Sequence, residues 1–225
     1  MSFLFLGPVP RGRAVRDLRF VVPDCSLCGQ WREVRRRGAD LSEERRFRVV
    51  GQNERVAAYA ERYECRAMVL REHPRCLRAL VIANRLLTLL FYGAYGALLL
   101  VEALHAPLRL VPLAGIPAVA FGLISLFRCR FNAPRPYERC AFTPLIPREG
   151  VGRSFPSRHA FSAFAIATCW FVASASVAVA LMTCAGALGW CRVLGGVHFP
   201  RDIVAGALAG ILTGAATFAA ALLMA

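Results

Sequence analysis

From about Leu77 onward the chain is built mainly of apolar runs, several of them long enough to cross a bilayer as a single helix. That feature limits the fold more than any other. The expectation is an all-α architecture, a multi-pass transmembrane helical bundle of about five spans. Composition agrees, since 57% of the 225 residues are hydrophobic and the mean hydropathy is +0.48, both high for a soluble domain.

Ala79 to Leu104 reads as the first span, with Asn84 and Arg85 near one headgroup layer and Glu102 near the other. Leu108 to Phe127 reads as the second, its Pro112 and Pro117 tolerated as in other membrane helices. The short link His105-Ala106-Pro107 makes the two an antiparallel hairpin and leaves His105 an interfacial residue. Arg128 to Arg158 is a long polar connection. Ala160 to about Ala173 and Val177 to Trp190 then form a second hairpin turning at Ser174-Ala175-Ser176. Each arm covers roughly 21 Å at 1.5 Å per residue, so the arms are expected to tuck inside the bundle. Ile203 to Met224 is the last span, with Gly206, Gly210 and Gly214 as a small-residue stripe for close helix contact.

The net charge of +14 comes from 28 arginines and no lysine, and 17 of those arginines precede residue 79. The apolar runs favour an anionic membrane surface over nucleic acid as the counterpart of this charge. Residues 1–52 read as a basic, solvated extension without a signal peptide, and residues 53–78 as an amphipathic juxtamembrane helix interrupted by Pro74. Residues 79–225 form the transmembrane domain. Translation beginning near Met68 is an alternative that would remove most of the basic extension. The nine cysteines are odd in number and give no disulfide framework. Cys25-x2-Cys28 has no second pair at metal-binding spacing.

Chemistry concentrates in three clusters: Arg128-x6-Arg135-Pro136, Pro156-Ser157-Arg158-His159, and Cys191-Arg192-x5-His198-x3-Asp202. An antiparallel hairpin that starts after His159 and ends before Arg192 brings the last two together. The loop carrying Arg128 and Arg135 enters that hairpin from the same side. A phosphoryl group there would meet permanently charged guanidinium forks. It would also meet an anion seat where Ser157 opens a helix. One neutral histidine can attack phosphorus while the other, protonated, donates to the leaving oxygen. Asp202, four residues after His198, can hold one nitrogen of that ring. No Asp/Glu/His set reads as a metal cage, so no cofactor is expected, and the arginines would supply the electrostatics.

Together the clusters resemble the signature of the type 2 phosphatidic acid phosphatase and vanadium haloperoxidase superfamily, K-x6-R-P, P-S-G-H and S-R-x5-H-x3-D. The resemblance covers Arg128 to Asp202 and implies a metal-independent helical bundle acting on a lipid phosphate or diphosphate through a phosphohistidine. It implies His198 as nucleophile, Asp202 as its orienter and His159 as general acid. Arg128, Arg135, Ser157 and Arg192 would bind phosphate. Three positions depart from the pattern. Arg128 replaces lysine, Cys191 replaces serine, and Arg158 replaces glycine. Arg158 adds a guanidinium that would favour a more anionic substrate such as a diphosphate.

The expected partners are a lipid phosphate substrate and membrane lipids, with no nucleic acid. Two further readings use the same residues: a vanadate-dependent haloperoxidase, and a non-catalytic protein that binds phospholipid headgroups. The arginine-rich N-terminal third argues for a cytoplasmic site by the positive-inside rule. The resemblance implies the extracytoplasmic face of the plasma (inner) membrane, which is the side preferred here.

Overall fold

The computed structural model describes residues 43–140, 142–147 and 151–224. Most of the expected extension over 1–52, including Cys25 and Cys28, lies outside the described residues. Every long regular element among the described residues is a helix.

Helix α1 (Glu43–Glu72) is followed by α2 (Pro74–His105). The boundary falls where the expected juxtamembrane helix meets Pro74, which takes the first position of α2, where its missing N–H costs nothing. A 3-10 turn, Pro107–Arg109, closes the first hairpin and leads into α3 (Leu110–Phe131). Asn132, with φ of 41°, ends α3 in the left-handed region while its amide returns to the Arg128 carbonyl at 3.0 Å. Short α4 (Pro136–Cys140) opens the polar connection. Helix α5 (Arg158–Cys169) and a 3-10 turn, Trp170–Val172, form the first arm of the second hairpin. Ser174 caps the second arm, α6 (Ala175–Leu194), by accepting from the Val177 amide at 3.5 Å. The last helix is α7 (Pro200–Leu222).

Among the described residues four stretches are long and apolar enough to cross a membrane: Pro74–His105, Pro107–Cys140, Ala175–Leu194 and Pro200–Leu222. The fifth expected span, α5, has only 12 residues and is the buried centre of the bundle. Its partner α6 is longer than the sequence suggests, 20 residues, because the helix continues past Trp190 through Arg192 to Leu194 before the Gly195-Gly196 turn. Thus one arm is buried in the bundle and the other is long and apolar enough to span.

Packing explains why α5 can be short. It lies chiefly against α7 and α6. A Cβ at Gly206, Gly210 or Gly214 of α7 would fall 2.5 Å from the Ser157 carbonyl oxygen, 2.4 Å from the Phe161 carbonyl oxygen and 2.4 Å from the Thr168 Cβ, respectively. The small-residue stripe therefore lets two backbones touch and joins the starts of α5 and α7. Phe91, Ala163, Ile166, Ala167, Leu181, Ala185 and Leu188 fill the middle of the bundle. Leu86, Leu100, Val119, Leu123 and Leu212 face outward, as bilayer-facing residues must in a protein whose solvent is lipid. Glu102 is buried and lies 3.5 Å from Arg109 across the first hairpin, at the end of α2 remote from the three clusters.

Candidate active site

The three clusters meet at one end of the bundle, on the ends of α3, α5, α6 and α7. Arg128, in the last turn of α3, is buried. Its guanidinium donates to the carbonyl of Ser154 at 3.2 Å and also to those of Pro156 and Arg153. Arg135 is buried beside it and donates to the carbonyls of Gly152 at 2.9 Å, Val197 at 3.2 Å and Arg153 at 3.5 Å. The 152–156 segment thus wraps both guanidiniums in carbonyl oxygens. Arg192, in the last turn of α6, is buried as well, and its own carbonyl accepts the amides of Val197 and His198.

Ser157 caps α5, its Oγ accepting from the Ala160 amide at 3.4 Å. Its amide donates to the Asp202 carbonyl at 2.9 Å, locking the start of α5 to the start of α7. Arg158 and His159 occupy the first turn of α5, both half-buried. The Arg158 guanidinium lies over the Phe121 ring of α3, 5.7 Å from its centroid.

His198 and Asp202 are both buried. The His198 Nδ1 is 3.6 Å from the Asp202 Oδ2, too long for a direct hydrogen bond. Between them stands Ser154, whose Oγ donates to Oδ2 at 2.5 Å and lies 3.4 Å from Nδ1. The Phe199 amide also donates to Oδ2, at 3.1 Å. The other oxygen, Oδ1, has the Arg201 Nε at 3.6 Å. Burial pushes the His198 pKa down to about 4; Arg135 and Arg128 push the same way, and Asp202 opposes them. A pKa near 4 leaves the imidazole neutral at pH 7, and Nε2 is the nitrogen not turned toward the carboxylate.

All eight sequence-derived residues lie on helix ends or loops at this end of the bundle. The sequence reading missed two others. Ser154 is three residues before Ser157 and bridges the His198–Asp202 pair. Glu138 accepts from the Arg135 amide at 3.1 Å and the Gly152 amide at 2.7 Å, tying the arginine loop to the serine loop. Cys191 faces an apolar cluster with Tyr63, Ala67, Leu80, Phe142 and Leu145, so it acts there as a small hydrophobe. Among the described residues, no group of three or more His, Cys, Asp and Glu is placed to hold a metal ion.

The profile of the family described as the PAP2 superfamily matches residues 109–222, just over half of the chain. The solved structures similar to the chain include the crystal structure of Aquifex aeolicus LpxE, at 27% identity and a TM-score of 0.48, covering 64% of this chain and 94% of that one. Among curated proteins nothing matches.

Proposed function

Given that the chain belongs to the PAP2 superfamily, we propose that it is an integral-membrane phosphatase that hydrolyses a lipid phosphate or diphosphate through a phosphohistidine, with protein side chains supplying the charge. The observation that carries this reading is the buried His198, held beside Ser154 and Asp202 in a pocket shared with Arg128 and Arg135.

In the proposed reaction the phosphate enters against Arg128, Arg135, Arg192 and the N-terminus of α5 at Ser157. In the structure the guanidiniums of Arg128 and Arg135 donate to neutral carbonyls. A phosphate oxygen competes well for the same donors, because charge-assisted hydrogen bonds are about twice as strong as neutral ones. His198 Nε2 attacks phosphorus in line with the leaving oxygen, forming a P–N bond as the P–O bond breaks. His159, as imidazolium, donates its proton to the departing oxygen. Asp202, with Ser154, holds the Nδ1 side and stabilises the positive charge that develops on the His198 ring. Water, deprotonated by the now neutral His159, then attacks the phosphohistidine, releasing inorganic phosphate and restoring His198.

The arginines carry negative charge that spreads over the equatorial oxygens. Arg158, over Phe121 at the rim, is assigned to a second phosphate when the substrate is a diphosphate. The apolar outer faces of the bundle suit a substrate that stays in the bilayer. The site is assigned to the extracytoplasmic face on the strength of the family resemblance.

The test is phosphate release by the detergent-purified chain in EDTA, with dioctanoyl phosphatidate and undecaprenyl diphosphate as probes. Turnover by wild type and its loss in His198→Ala support the reading. Equal inertness of both proteins, or a requirement for added metal, contradicts it.

A further inference from the structure

Helix α1 has too many charges to be a span, yet residues 59–71 pack onto the loops at the active-site end. Tyr63 is buried, its ring stacked on Phe142 with centroids 3.9 Å apart. Its hydroxyl accepts from the Leu145 amide at 3.1 Å. That amide and the amide of Ile146 also donate to the Gly195 carbonyl, at 3.1 and 3.3 Å. Gly196 follows with φ of +73°, and a Cβ on it would fall 2.5 Å from the Tyr63 hydroxyl oxygen. The loop therefore requires glycine there both for its backbone conformation and for the tyrosine against it. Two residues later comes His198.

Two more contacts fix the helix. Tyr59, one turn before Tyr63, lies against Phe199 with centroids 5.0 Å apart. Arg71 donates to the Thr143 carbonyl at 2.8 Å and pairs with Glu64 at 3.1 Å. Burial pushes the Tyr59 pKa up to about 12, with Cys140, Tyr63 and Asp202 adding to the shift and Arg66 opposing it. Through its contact with Phe199, the Tyr59 ring lies at the end of the bundle that carries Asp202. Tyr59 and Tyr63 touch the 195–199 loop at Phe199 and Gly196, and Arg135 holds it through the Val197 carbonyl.

We propose that the 59–71 stretch of α1 is an integral part of the catalytic unit and that Tyr63 is a positioning residue, setting the loop that carries His198 through its contacts with Phe142, Leu145 and Gly196. The proposal deepens the phosphatase reading and rests on it for the kinetic half of its test. Tyr63 touches no reacting atom; its effect passes through the loop. A misplaced His198 would slow the chemical step, while Arg128 and Arg135 stay held by the carbonyls of the 152–156 segment, so turnover changes more than apparent affinity.

The experiment compares full-length wild type, Tyr63→Phe and Tyr63→Leu in detergent by amide hydrogen exchange and by turnover of dioctanoyl phosphatidate, with His198→Ala as the inactive reference. In Tyr63→Leu the 142–147 and 195–199 segments exchange about tenfold faster or more while α5 keeps its protection. Its kcat falls by about tenfold or more with KM within about twofold. Tyr63→Phe keeps the ring stack and loses only the hydroxyl, so it falls between the two. Wild-type exchange at 195–199 together with wild-type kcat in Tyr63→Leu overturns the proposal. So does faster exchange spread evenly over all helices with kcat per folded molecule unchanged. If Tyr63→Leu does not fold, Tyr63→Phe decides, and its matching wild type in both readouts counts against the proposal. If wild type is as inert as His198→Ala, the phosphatase reading fails on this probe, and the exchange data alone decide the role of Tyr63.

Discussion

Ser154 donates a hydrogen bond from its Oγ to the Asp202 Oδ2 at 2.5 Å, and the same oxygen lies 3.4 Å from the His198 Nδ1. The hydroxyl can thus accept from the imidazole while donating to the carboxylate, linking two groups that are themselves 3.6 Å apart. Hydrogen bonds to a charged group contribute about 1.5–3 kcal/mol, so removing this one from a nucleophile's support is expected to be visible in kcat. Ser154→Ala is predicted to lower kcat by roughly 10- to 100-fold, the same energy expressed as a rate, with little change in KM. Ser154→Thr, which keeps the hydroxyl, retains more activity. Steady-state kinetics of the three proteins check this.

Gly206 links packing to the site. A Cβ there would fall 2.5 Å from the Ser157 carbonyl oxygen, and Ser157 is bonded through its amide to Asp202. Gly206→Ala must push α7 away from α5 at the catalytic end, at a cost of about 1–3 kcal/mol for overpacking. Gly115 and Gly122 on α3 have nothing within 4 Å of an added Cβ, so alanine there gains about 0.5–1 kcal/mol of helix propensity. Thermal melting in detergent should place Gly206→Ala below wild type and Gly122→Ala at or above it, and only the first should lose activity.

Much of this arrangement is legible in the sequence because the chemistry is distinctive. Arg128, Arg135, Arg192, His198 and Asp202 are charged or titratable residues beside apolar runs, and hairpin topology alone brings them together. Ser154, Glu138 and Tyr63 carry no such signal. A serine in a polar loop, a glutamate in a basic stretch and a tyrosine on a charged helix are ordinary until the chain folds. The apolar face of α1 was only partly readable. The packed set is Tyr59, Tyr63, Ala67 and Leu70, at helical spacing but scattered among charges. The length of α6 is hidden for the opposite reason, since Arg192 closes the apolar run in the sequence but lies inside the helix.

The His198 environment sets a pH dependence. In an unfolded chain the imidazole takes a proton near pH 6.5, while in the folded protein burial delays this to about pH 4. Between those values the unfolded state binds a proton that the folded state refuses, so stability falls as pH drops from about 6.5 toward 4. Melting temperatures measured across that window should fall more steeply for wild type than for His198→Gln. The acid limb of kcat/KM should lie below pH 6.5, because the free protein keeps His198, the proposed nucleophile, neutral down to about pH 4.

The side of the membrane can be read from native cysteines. Cys65 on α1, Cys76 at the start of α2 and Cys129 at the end of α3 are exposed at the active-site end of the bundle. With an extracytoplasmic site, a membrane-impermeant maleimide added to intact spheroplasts labels these residues. Labelling only after lysis would place the site in the cytoplasm, as the arginine-rich N-terminal third predicts.

The most direct test of the account is to trap the covalent intermediate. Wild-type protein is mixed with phosphorus-labelled dioctanoyl phosphatidate, quenched in alkali within the first turnover and digested. A phosphoramidate, stable to base and labile to acid, is predicted on the peptide containing His198, and is absent from His198→Ala. Label carried by Ser157 or another side chain, or phosphate release by His198→Ala at the wild-type rate, would contradict the assignment of His198 as nucleophile.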